Sequence, residues 1–457
     1  MLCNLEVFKL MAVIAKKEIN YPFLLKPVVI YERECGHKIV LAYKEGGLVN
    51  ISTWVKTGSI NENDEITGIS HFLEHLMFKG TEKHAAGEFD KILESKGAIV
   101  NAATWKDYTF YYVTLPKGPN DEYFNLALEL HADMMLNITL PKNEIGETFD
   151  IDNPGVIQKR ERHVVIEEIR MREDMPWTKT YNTLNYNMYK SHPYKRDVIG
   201  EANVIATLTR DTIMDYYKSH YTPNKMTTII VGDFDFDKIV EKVEKEFEFK
   251  GRENSPIQKY DLDKPDLKTK YIENYSKTNT AFLMVGYLGV EAMNLKEAMI
   301  LDILSIVLGE GQSSRLYQNL IEKSEENIFN LVSSDNYHFR DGGNFFVQAN
   351  FKPEYKDKAI ELIKEQIMDV YQKEISPEEF KKAVKKLKAL FASSAETVSE
   401  IAETIGYYMT VCNGLELVDE YLKTLENITI EDVLKTAKEY LDINKATISV
   451  LMPENKG

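Results

Sequence analysis

Apolar residues along the chain follow two spacings, every second residue or every third to fourth, which separate strands from helices. Val49-Asn50-Ile51-Ser52-Thr53-Trp54-Val55 alternates and is β-branched, which predicts a strand. Val28–Glu32 and Lys38–Ala42 read the same way, joined by a turn at Cys35-Gly36-His37. A helix is expected from Gly68 to Gly80, and a second from Ala86 to Lys96, closed by Gly97. Ile99–Thr104 and Tyr108–Leu115 read as paired strands across a polar turn. Long helical patterns follow at Asp121–Asn137 and Gln158–Arg172. Thr227–Val231 is then expected as a last strand, with a closing helix through Glu246.

Lys250–Lys268 is polar and contains Pro256 and Pro265, the composition of a linker. Beyond it the order repeats, with a strand at Thr280–Tyr287 and a helix at Leu295–Leu308 closed by Gly309. Aligned on their terminal glycines, the two helices set Ile300, Ile303 and Leu304 against His71, Glu74 and His75. The expected division is a tail over 1–20, one half over 21–250, a linker over 251–268 and a degenerate second half over 269–457.

With 457 residues the chain is long enough for two cores. Its net charge of −16 argues against nucleic acid as a partner, although such a charge also simply keeps a protein dissolved. Cys3, Cys35 and Cys412 are far apart and form no C-x-x-C pair, which excludes a disulfide framework and a cysteine zinc site. The cysteines suit a reducing compartment, so a cytoplasmic location is expected, with a periplasmic or exported one left open. The apolar run Leu10–Ala15 is short and follows Glu6 and Lys9, so it reads as a tail and not as a signal peptide. No apolar stretch is long enough to span a membrane.

The candidate chemistry begins at His71-Phe72-Leu73-Glu74-His75, an H-x-x-E-H string on the first predicted helix. Histidines four apart share a helix face and can reach one metal ion, with Glu74 beside it as a general base. A lone helical histidine is more often surface or core than a ligand; here the spacing and the neighbouring acid reverse that. A catalytic zinc site needs a third protein ligand. The best candidates lie in Glu161-Arg162-His163-Val164-Val165-Ile166-Glu167-Glu168. Glu161 and Glu168 share a helix face, whereas Glu167 is turned about 100° from Glu168.

Together these segments resemble the M16 metallopeptidases, the family of pitrilysin, insulinase and the mitochondrial processing peptidase. That family joins H-x-x-E-H to a downstream E-R-x-x-x-x-x-E helix. Further likenesses are Glu74–Thr81, Gly97 through Asn101-Ala102 to Tyr112, His192-Pro193-Tyr194, Ile199-Gly200, Tyr221-Thr222-Pro223-Asn224 and Ser313-Ser314-Arg315-Leu316-Tyr317. The resemblance implies an α+β fold of two homologous halves, mainly antiparallel sheets backed by helices, arranged as a clamshell around a chamber. It implies one Zn2+ on His71, His75 and Glu168; read from the residues alone, Glu167 stays open as the alternative third ligand. Glu74 would be the general base on zinc-bound water, and Glu161 a carboxylate steering a ligand from behind. A peptide would lie extended along the strand at Asn101 and Ala102. The implied activity is a zinc endopeptidase acting on oligopeptides or unfolded, presequence-like segments.

Two departures stand out. Asn143–Pro154 reads as an inserted surface loop. An Arg and a Tyr that hold substrate backbone in single-chain members correspond here to Ile321 and to a stretch, Glu325–Leu331, with only Phe329. Some bacterial members lacking that pair work beside a second M16-like subunit, so a homodimer or such a heterodimer is expected. The alternative function is a peptide-binding or scaffold subunit that depends on its partner. His37, His84, His131, His163 and His192 lack partner spacing and read as structural or exposed, and Tyr108, Tyr111 and Tyr112 as strand packing.

Overall fold

The computed structural model describes residues 13–153 and 159–454. Contacts divide the chain into two compact units, and the segments of each are interleaved along it. One unit contains the described residues up to Ile166, Val198–Gln258 and Ala392–Asp419; the other contains Glu167–Asp197, Lys259–Phe391 and the described residues from Glu420 onward.

The first unit is built on a sheet of β1 (Val13–Ile19), β2 (Val28–Arg33), β3 (Lys38–Tyr43), β4 (Leu48–Val55), β5 (Ile99–Thr104), β6 (Thr109–Pro116) and β7 (Met226–Gly232). Their spatial order is β1-β2-β3-β7-β4-β6-β5, so β5 is an edge strand. Only the β3–β7 pair is parallel. Four helices cover this sheet or carry the candidate site: α1 (Ile69–Met77), α2 (Glu122–Leu136), α3 (Glu161–Glu173) and α4 (Val398–Val411). β7 is buried along its whole length, because α2 packs beside β4 and β6 while α4 packs on β4 and β7. Gly406 admits Trp54 at the α4 contact; a Cβ there would lie 1.9 Å from an indole carbon.

The second unit carries β8 (Lys270–Ser276), β9 (Ala281–Leu288), β10 (Phe329–Phe339), β11 (Gly342–Phe351) and β12 (Thr447–Pro453). Their order is β10-β11-β9-β12-β8, with only β8–β12 parallel. This is the arrangement of β5-β6-β4-β7-β3 repeated, so the internal repeat holds at the level of strand topology. The helix Leu295–Gly309 packs on β10, and Ile300, Ile303 and Leu304 are all buried in the core. Where the first half carries metal-binding residue types, the second carries core.

Two expectations change. The expected tail over 1–20 contains β1, which pairs with β2 and is exposed on most residues; such a strand has no alternation to read. The linear boundaries do not describe the units. Pro176–Met188 covers β9 and β12 of the second sheet, and α4 covers the first, because each sheet needs a helix on its remaining apolar face. The segment 251–268 does lack helix and strand, and within it Asp263 accepts hydrogen bonds from the backbone N–H groups of Lys190, Ser191 and His192. The inserted segment Asn143–Pro154 begins inside a short helix, Lys142–Ile145, and its Phe149 stacks on His163 at 4.8 Å; its last residue, Pro154, and Gln158 at the expected start of the next helix lie outside the described residues.

Candidate active site

The start of α1 is set by backbone that only glycine tolerates. Gly68 has φ +88° and Gly200 φ +81°, and a Cβ on Gly200 would come 2.3 Å from Gly68 Cα. The buried Glu62 carboxylate accepts from Gly68 N–H at 2.7 Å and Ser70 N–H at 2.9 Å, an anion on the helix N-terminus. Ile69, Phe72, Leu73, Leu76 and Met77 form the buried face of α1. His71, Glu74 and His75 stand together on the opposite, half-buried face.

Helix α3 is held by Arg162, itself only 1% exposed. Its guanidinium donates to the carbonyls of Ile205 and Leu208 and lies over the Phe72 ring of α1 at 5.3 Å. Val165, Ile166 and Ile169 bury the same rod. The boundary between compact units falls inside α3, after Ile166, so Glu168 is carried on the helix that Arg162 anchors.

His71, His75 and Glu168 each offer a ligand atom, and these atoms lie within 4.8 Å of one another; among the described residues this is the one such group. Tetrahedral donors at about 2.0–2.1 Å from zinc stand about 3.4 Å apart, so modest side-chain adjustment closes the trio on one ion. Two imidazoles and one carboxylate are a donor set zinc accepts. Glu167, the alternative, is exposed and pairs with Arg170 at 2.6 Å. Glu168 also has Arg172 Nε at 3.4 Å from its Oε1.

Around the trio stand two further carboxylates. Glu161 Oε2 lies 3.4 Å from His75 Nδ1, and Lys79 Nζ lies 2.7 Å from Oε1. Burial pushes the Glu161 carboxyl up, but the bonds from His75 and Lys79 outweigh it and hold the group below its ordinary value. Glu74 Oε2 accepts a 2.6 Å bond from Thr104 Oγ1 at the end of edge strand β5. Ala102 is on the same strand face as Thr104; Asn101 is on the other, and its Oδ1 accepts from Ala102 N–H at 2.9 Å.

Sequence reading did not single out Thr104, Lys79, Arg162 or Glu62. Thr104 was within reach of it, being two residues beyond Ala102 on one strand face. His37 and His131 are fully buried, bonded to Thr228 and Thr53. Tyr111 is buried with its hydroxyl 2.7 Å from that of Tyr221, and Arg315 pairs with Glu379 at 2.7 Å.

Residues 38–202 match the family model described as Insulinase (Peptidase family M16), and residues 207–387 match the one described as Peptidase M16 inactive domain. The chain belongs to the M16 peptidase family. It is 29% identical over 393 residues to a Bacillus subtilis protein named as an uncharacterized zinc protease, YmxG, covering 86% of this chain and 90% of that one. It is 29% identical over 416 residues to the zinc protease PqqE of Helicobacter pylori, covering 89% and 88%. The crystal structure of a protease from Helicobacter pylori superposes with a TM-score of 0.80 at 27% identity, covering 97% of this chain and all of that one. Among the described residues no helix is long and apolar enough to cross a membrane.

Proposed function

We propose that this chain is a zinc metalloendopeptidase that hydrolyses oligopeptides or unfolded segments. The observation that carries the reading is the approach of His71, His75 and Glu168 within 4.8 Å, with Glu74 on the same helix face. These three residues would hold the zinc ion, which when bound supplies Lewis acidity toward a scissile carbonyl and a neighbouring water. Glu74 takes the proton of the attacking water and delivers it to the leaving amine. Thr104 orients that carboxylate through Oε2. Glu161 fixes the tautomer and ring angle of His75. The open edge of β5 offers main-chain pairing to an extended peptide, which folded protein cannot supply. Relatives named as zinc proteases support the same activity.

The test is Glu74→Gln, which should retain zinc and lose hydrolysis of a quenched peptide; a fully active variant would remove Glu74 from this role. A second reading, a subunit that binds peptide and depends on a partner, draws on Ile321 and Phe329. Both pack against the second sheet's core and have no polar group for a substrate backbone. Assaying the chain alone and beside a second M16-like subunit separates the two.

A further inference from the structure

In the second unit, two reciprocal bonds hold the helix Leu295–Gly309 in register with edge strand β10. Ser305 Oγ donates to Ser334 O at 2.9 Å, and Ser334 Oγ donates to Ser305 O at 2.8 Å. Both serines are buried. Asp302 lies three residues before Ser305 and shares its helix face; Asn336 and His338 follow Ser334 at steps of two and share its strand face. The register therefore brings Asp302, Asn336 and His338 together. Asp302 Oδ1 is 2.9 Å from Asn336 Nδ2 and 3.0 Å from His338 Nε2, and those two nitrogens are 2.9 Å apart. The three atoms close a triangle.

Protons do not satisfy all three of its edges. Asp302, its side chain 29% exposed, is ionised at neutral pH and only accepts. It needs a hydrogen from each nitrogen. If the imidazole Nε2 carries one, the edge between Asn336 and His338 sets two donors together. If it carries none, the edge between Asp302 and His338 sets two acceptors together. Among the described residues no Lys or Arg pairs with Asp302, and Asn336 Oδ1 is buried without a partner. A half-turn of the carboxamide brings that oxygen into the triangle, exchanging one unserved amide atom for the other. All three vertices then present lone pairs to a single point. Donors about 2.1 Å from a metal on neighbouring octahedral axes stand about 3.0 Å apart, against about 3.4 Å for tetrahedral ones. The triangle has the octahedral spacing.

We propose that Asp302, Asn336 and His338 form one face of a binding site for an octahedral divalent first-row metal ion such as Mn2+. One imidazole with two oxygens suits such an ion better than Ca2+ or Mg2+, which favour oxygen throughout. The His338 side chain is 15% exposed and that of Asp302 more so, which lets water fill the remaining positions. The ion clamps the helix to the edge strand, as the bond between Thr104 and Glu74 ties α1 to β5 in the first unit. The site shares no residue with His71, His75 and Glu168 and does not depend on their binding zinc.

The experiment is a Mn2+ titration of the full chain supplied with one equivalent of zinc. Electron paramagnetic resonance reads free and bound Mn2+, and zinc content is followed in the same sample. One Mn2+ should bind per chain, with spin-echo modulation from one imidazole nitrogen and no change in zinc. Asp302→Asn or His338→Gln should weaken Mn2+ binding at least about tenfold, since even a residue behind a ligand is worth about 10–100-fold. Asn336→Asp adds a carboxylate and should tighten binding severalfold, a gain that misfolding does not give. Absence of bound Mn2+, an affinity unmoved by Asp302→Asn and His338→Gln, or Asn336→Asp binding no more tightly than the native chain overturns the site. Imidazole modulation that survives in His338→Gln places the ion on other histidines and overturns it too.

Discussion

Thr104 Oγ1 donates to Glu74 Oε2 at 2.6 Å, which ties the acid of helix α1 to the end of edge strand β5. The contact couples the residue proposed to move protons with the strand proposed to hold the peptide. A hydrogen bond to a charged acceptor contributes about 1.5–3 kcal/mol. Thr104→Val keeps the β-branched shape and deletes that bond, together with the longer 3.4 Å one that Thr104 Oγ1 accepts from Thr109. We expect kcat to fall about tenfold or more, with zinc stoichiometry unchanged. A variant with native kcat would show that Glu74 is oriented by something else.

Glu161 addresses His75 from behind, and its removal should be felt in metal retention. Losing such a partner typically costs about 10–100-fold in metal affinity. Glu161→Gln retains a hydrogen-bond acceptor but loses the charge shared with Lys79, so its loss should be smaller than that of Glu161→Ala. Competition with a zinc chelator measures both, and equal zinc affinity in all three proteins would reduce Glu161 to a partner of Lys79 alone.

How much of the fold and site was legible depended on whether the signal was local. The span Ile99–Thr104 matches its strand to the residue, since β-branched and small residues there sit between Gly97 and a polar turn. Helix α1 was readable because its apolar face is complete, leaving His71, Glu74 and His75 as the remainder. Glu167 and Glu168 could not be told apart by spacing alone. The buried Val165 and Ile169, with Arg162 beneath Phe72, set the rotation of α3 and turn Glu167 outward. The placement of α4 against a sheet far earlier in the chain was out of reach, because nothing local marks which sheet an amphipathic helix will cover. β1 escaped for the opposite reason, being mostly exposed and held by backbone pairing.

Acid should weaken the fold through its buried imidazoles. Burial lowers His131 from 6.5 to about 3, and its Nε2 lies 2.9 Å from Thr53 Oγ1. His37, also buried and beside Arg33, is lowered as well. A folded-state pKa below the unfolded one means the unfolded chain binds the extra proton first. The stabilisation is therefore complete above about pH 6.5 and is lost progressively as pH falls toward about 3, by up to ~1.4 kcal/mol per pH unit for each group. Urea midpoints measured with chelator present, so that metal release does not contribute, should fall across that window. His131→Gln should flatten the slope; an unchanged slope would exclude His131 as a source.

Gly200 and Gly87 separate backbone strain from disturbance of the site. Both have positive φ, +81° and +75°, so an alanine at either meets the left-handed penalty of about 1–2 kcal/mol. At Gly87 an added Cβ meets nothing within 4 Å, and only that penalty applies. At Gly200 the Cβ would sit 2.3 Å from Gly68 Cα and 2.5 Å from Thr67 O, so backbone itself must shift. The backbone that shifts is the N-terminus of α1, one turn before His71. Gly200→Ala should therefore be less stable than Gly87→Ala by a further ~1–3 kcal/mol, the scale of local backbone strain. It should also bind zinc more weakly, whereas Gly87→Ala keeps native affinity. Equal zinc affinity in the two folded variants would show that α1 holds its position independently of the glycine contact.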